Sequence, residues 1–166
     1  WYTKLWTIGE DKDFVLATKA EFGYLGFYDT DARSPFEGFE VGGDGMMGYS
    51  YYGRDVISMR GYANGSVTPD KGANLYDKFT MELRFPISLD PNATLFALAF
   101  VEAGNAWYEF KDFNPFNMVR SAGVGVRIFL PMFGMMGVDW GYGFDELSHS
   151  PGQGGSQFHF VLGPQL

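Results

Sequence analysis

The fold turns on SAGVGVRIFLPMFGMMGVDWGYGF, Ser121–Phe144. In an extended chain, Ala122, Val124, Val126, Ile128 and Leu130 fall on one face, and Ser121, Gly123, Gly125, Arg127 and Phe129 fall on the other. Beyond a short link, PMFG at Pro131–Gly134, the period of two resumes. Met136, Val138, Trp140, Tyr142 and Phe144 then oppose Gly137, Asp139, Gly141 and Gly143. One face is apolar and aromatic; the other mixes glycine with charge. This pattern predicts two neighbouring strands.

The same alternation recurs upstream. In KFTMELRFP, Phe79, Met81, Leu83 and Phe85 share a face, against Thr80, Glu82 and Arg84. Strands are expected at Tyr2–Gly9, Phe14–Tyr28, Leu75–Ile87, Thr94–Tyr108, Val119–Leu130, Met135–Phe144 and Gln157–Gly163. No window sustains a helical apolar period, and glycine interrupts most candidates. The expectation is an all-β chain of about seven antiparallel strands, each long enough to cross a bilayer at a tilt.

Alternation alone does not say which face is outside. A soluble sandwich buries the apolar face, whereas a transmembrane barrel presents it to lipid. Three features favour the barrel. The strands are long and follow one another as a meander. Short links, Pro86–Ala93 and Pro131–Gly134, alternate with long polar or glycine-rich ones, as periplasmic turns alternate with extracellular loops. Trp107, Tyr108, Trp140 and Tyr142 lie towards strand ends, where an interfacial aromatic girdle belongs.

Composition agrees. Of 166 residues, 46% are hydrophobic and 19% aromatic, with 17 Phe, 10 Tyr and 23 Gly, residues suited to strands and tight turns. A net charge of -8 without any Lys/Arg run argues against a nucleic-acid partner. The absence of cysteine excludes disulfides and thiol chemistry. The longest apolar run, LFALAFV at Leu95–Val101, is far too short for a membrane-spanning helix. The chain opens on a strand-like WYTKLWTIG with no signal peptide, and is expected to be a fragment or a processed product. An odd strand count points the same way, because bacterial single-chain barrels close with even numbers.

A loop from about Ala32 to Ala73 separates the second and third expected strands. Loops this long are functional or disordered, and this one is too rich in Phe, Tyr and Met for disorder. It is expected to fold back into the lumen. There the guanidinium of Arg60 would find Glu82, Glu102 and Asp139, and a planar bidentate donor suits carboxylates better than a lysine does. Gly61 permits a turn or a close approach, and Tyr62 adds a flat surface with a polar tip. A solvated loop arginine is the plainer alternative.

At this point the residues resemble a known family. ISMRGY, Ile57–Tyr62, looks like the (V/I)RG(F/Y) signature of the Omp85 superfamily, in the sixth extracellular loop of its sixteen-stranded barrel. TMELRF, FVEAGNAW, the Ser121–Phe144 stretch and a terminal FHFVLGPQL follow in the family's order and spacing. The resemblance spans nearly the whole chain, from about the tenth strand to the last. GGDGMMGY, Gly42–Tyr49, looks like the version in Bacteroidota-type relatives.

The resemblance implies the C-terminal part of an outer-membrane β-barrel with a lumen-inserted loop carrying Met59, Arg60, Gly61 and Tyr62. It implies that Arg60 pairs with Glu82 and Glu102; at the latter position the family more often has Asp. It further implies a C-terminal strand signal at Phe158, Phe160 and Leu162, although the chain departs from the pattern by ending GPQL. The nearest branch folds and inserts β-barrel proteins into the bacterial outer membrane. Its partners would be outer-membrane lipids, nascent β-barrel clients and accessory assembly lipoproteins, with no nucleic acid. A polypeptide transporter of two-partner secretion shares the arginine motif and is the alternative within the family. A lumen-lined enzyme, a passive porin and a soluble β-protein are the alternatives outside it.

Other chemistry is weakly signalled. His149 and His159 lack a convergent carboxylate motif, so no metal and no cofactor are expected. No catalytic motif occurs, and no serine is convincingly placed for a hydrolase. GGDG, Gly42–Gly45, reads as a turn ahead of a calcium loop. Arg127 and Asp139, on neighbouring strands with matching parity, read as a structural luminal pair.

Overall fold

The computed structural model describes residues 2–8, 12–28, 36–46, 53–147, 152 and 154–163. Residues 32–35 and 47–52 of the expected loop, the latter including the end of the Gly42–Tyr49 stretch, as well as His149 and the terminal residues 164–166, lie outside these. Among the described residues the strands are β1 (Tyr2–Ile8), β2 (Lys12–Tyr24), β3 (Phe39–Val41), β4 (Asp55–Ile57), β5 (Leu75–Asp90), β6 (Ala93–Trp107), β7 (Val119–Leu130), β8 (Gly134–Gly143) and β9 (Gly155–Leu162). Seven of them form one sheet in the order β1-β2-β5-β6-β7-β8-β9, every neighbouring pair antiparallel. The sheet is open, with β1 and β9 at its edges. Among the described residues no helix is long and apolar enough to cross a membrane, which says nothing of strands.

Two expected boundaries change for physical reasons. Pro86–Ala93 is not a link. β5 runs through Pro86 to Asp90, and a register shift between Pro86 and Ser88 accommodates the residue that cannot donate to the ladder. The turn is only Pro91 and Asn92, where the Asp90 carboxylate accepts the Asn92 amide at 2.8 Å. Secondly, β2 stops at Tyr24, four residues early. The chain then enters the loop, where β3 and β4 form a short parallel ribbon too brief for any periodicity to reveal.

Packing settles which face is covered. Phe79, Met81, Val124, Val126, Val138, Trp140, Phe158, Phe160 and Leu162 are bare on one side of the sheet. Glu82, Glu102, Ser121, Arg127, Asp139 and His159, on the other side, are buried beneath the loop. This is the inverse of a soluble sandwich, in which water would cover the charges. The apolar core lies between the loop and one end of the sheet. Val41, Met59, Tyr62, Val67 and Ala73 from the loop meet Tyr76, Ala106 and Leu147.

Trp107 departs from the girdle expectation. It is buried, with Phe113 packed edge-on at 4.9 Å, because the β6–β7 connection carries a 3₁₀ turn (Phe110–Asp112) and folds over it. Trp140 and Tyr142 do lie on the bare face, 40% and 44% exposed.

Candidate functional site

The loop is pre-shaped before it reaches the sheet. Val41 donates its amide to Thr68 Oγ1 at 2.7 Å, while Gly43 and Met59 exchange backbone hydrogen bonds of 3.1 and 2.9 Å. GGDG forms a turn in which the Asp44 carboxylate accepts the Met46 amide at 3.0 Å. Among the described residues no cluster suits a metal ion. These contacts bury Met59 and deliver the next residue, Arg60, onto the charged face of the sheet.

Arg60 makes contact with three strands. Its Nη2 donates to Glu82 on β5 and to Glu102 on β6, both at 2.7 Å. Nε reaches the same Glu102 oxygen at 3.1 Å, and the Arg60 backbone amide donates to the other at 2.8 Å. Nη1 reaches Asp139 on β8 at 3.1 Å. The guanidinium lies 3.7 Å above the centre of the Phe100 ring, an arrangement favourable to a desolvated cation. Burial acts to lower the Arg60 pKa, but the charges of Glu102 and Glu82 outweigh it and the net shift is upward, so the side chain stays charged.

Each carboxylate also holds a second cation. Glu82 accepts from Arg84 at 2.6 and 2.9 Å, Glu102 pairs with Lys78 at 3.4 Å, and Asp139 accepts a two-pronged contact from Arg127. The sheet therefore carries its own counter-charges, and Arg60 is an additional ligand. That lowers the cost of removing it below the ~3–5 kcal/mol of breaking a lone buried pair.

Glycine makes the close approach possible. At Gly61, φ is +87°, and a Cβ there would lie 2.8 Å from the Gly143 nitrogen. On β8, a Cβ at Gly141 would lie 2.7 Å from the Gly61 nitrogen, and one at Gly143 would lie 2.5 Å from the Gly61 oxygen. The glycine row of the charged face is thus the bed on which the loop rests. Beside it, the Gly61 amide donates to His159 Nε2 on β9 at 2.8 Å. Tyr62 is wholly buried; its hydroxyl donates to the Arg120 carbonyl at 2.8 Å and accepts the Asp145 amide at 3.2 Å. Burial raises its pKa.

The structure thus brings Met59, Arg60, Gly61, Tyr62, Glu82, Glu102, Arg127 and Asp139 into one cluster. The pair Arg127–Asp139 is not separate from the loop contact, because Asp139 also receives Arg60. Phe158, Phe160 and Leu162 point to the bare face, away from the cluster. Phe100, Lys78 and Arg84 carried a signal that parity alone supplies, since each lies an even number of residues from Glu102 or Glu82 on its strand. The partner of His159 had none, because it depends on where the loop lands.

Two comparisons bear on this arrangement. No curated protein matches the chain. A profile of the Omp85 superfamily domain matches residues 1–165.

Proposed function

Because the chain belongs to the Omp85 superfamily, we propose that it is barrel wall and loop of a BamA-type assembly factor, of Bacteroidota-like pattern, that folds and inserts β-barrel proteins into the bacterial outer membrane. Membership itself supports a general role in insertion or transport at the outer membrane, where proteins of this superfamily are β-barrels. The observation that supports a mechanical role for the loop is its docking, through Arg60, onto β5, β6 and β8. Such a strut holds the wall in shape while the terminal strand β9 frays and templates client strands. An exposed strand edge offers a row of backbone donors and acceptors on which a client strand can be added. The work is mechanical, without covalent catalysis, metal or cofactor. Its partners are outer-membrane lipids, nascent β-barrel clients and accessory assembly lipoproteins.

The test is client assembly by the full-length protein carrying Arg60→Glu. Lost assembly with the barrel still folded is expected; unchanged assembly at normal barrel stability would sink the reading. Upstream sequence separates the assembly role from two-partner secretion. Several tandem POTRA repeats ahead of the barrel fit assembly, and a single pair fits secretion.

A further inference from the structure

Among the described residues β9 lies at the edge of the sheet, hydrogen-bonded to β8. Its apolar side chains Phe158, Phe160 and Leu162 face away from the loop. Among the described residues, the hydrogen bond linking the Arg60–Gly61–Tyr62 turn to this strand is the one from the Gly61 amide to His159 Nε2. His159 is 4% exposed. An imidazole nitrogen accepts a hydrogen bond only in the neutral ring, with the proton on Nδ1; in the imidazolium both nitrogens are donors. Two N–H groups would then face each other across 2.8 Å.

We propose that His159 is a positioning residue that clasps the loop to the edge strand, and that its protonation uncouples β9 from the loop. The proposal rests on the loop-docking reading above. The charged groups around the ring come from each element packed on it: Asp139 from β8, Glu102 from β6, and Arg60 and Asp44 from the loop. Burial and Arg60 disfavour an imidazolium in this pocket, and the three carboxylates favour it. The backbone of Gly61 cannot follow the ring, because the turn is wedged between Gly141 and Gly143. The clasp is therefore closed at neutral pH and opens on acidification.

Amide hydrogen exchange of the full-length protein in detergent micelles, normalised for intrinsic rates, tests this at pH 8 and about pH 4.5. In the wild type, peptides covering 57–63 and 155–163 should lose about tenfold in protection at the lower pH, the worth of one buried hydrogen bond. His159→Gln supplies an acceptor that does not titrate, and should keep protection at both pH values. His159→Lys, a donor without an acceptor, should give the low-pH pattern at both. A wild type that is flat across this range, or a His159→Gln profile that follows the wild type, would overturn the clasp. Exchange that follows His159 while Arg60→Glu leaves client assembly intact would keep the clasp and remove the assembly role.

Discussion

Glu102 receives Arg60 twice over, taking its backbone amide at 2.8 Å and its guanidinium at 2.7 and 3.1 Å. The carboxylate holds both the chain and the side chain of the loop, which requires the reach of a glutamate from β6. Glu102→Asp is expected to lose one of the two attachments and to destabilise the docked loop by about 2 kcal/mol, the range of a charge-assisted hydrogen bond. Limited proteolysis within 53–72 measures it; equal protection in the two proteins would show that reach is immaterial.

Arg60 and Arg84 share Glu82. Either substitution to alanine leaves that carboxylate one cation, while both together leave it buried without either. A double-mutant cycle on chemical unfolding should show the pair costing at least ~1 kcal/mol more than the sum of the singles. Additive losses would mean that Glu82 is solvated once the loop leaves.

The glycine bed gives a sharper test of docking. Gly143→Ala keeps an ordinary strand residue but places its Cβ 2.5 Å from the Gly61 oxygen and 2.8 Å from the Tyr62 ring. The sheet should fold while the loop is displaced, at a cost of ~1–3 kcal/mol from overpacking. Faster cleavage in the loop with unchanged strand content by circular dichroism is the expected result.

Tyr62→Phe keeps the buried ring and removes the hydroxyl that bridges the Arg120 carbonyl and the Asp145 amide. The carbonyl retains the Phe144 amide at 2.9 Å, so only the Asp145 donor is stranded. A loss of about 1–2 kcal/mol in unfolding free energy is expected.

Asp145 predicts an acid limit for the same corner. Hydrogen bonds from Arg120 hold its carboxyl below the usual range. A depressed carboxyl stabilises the fold above its unfolded pKa of ~3.9, and that contribution disappears as pH falls through the lower folded value. Exchange protection at 144–147 should drop on acidification below about pH 4. Because the pair is largely exposed, added salt should weaken the effect.

What the sequence determined by itself is local and periodic. The pleat of a strand repeats every two residues, so β7 could be bounded at Val119–Leu130, and Glu82, Arg127 and Asp139 could be assigned to one face, without knowing any neighbour. The order of motifs carried the family, and a charged arginine in an apolar, glycine-rich loop already asked for carboxylates. The tertiary structure alone decided which face is covered, because the same alternation serves a sandwich or a barrel until the loop lies on the charges. It also decided that Gly61 meets His159, that Trp107 is buried under Phe113, and that β5 continues past Pro86. These depend on register accumulated across several strands and on where a long connection comes to rest. Residues 79 or 98 positions apart in the chain meet at a distance that no local pattern encodes.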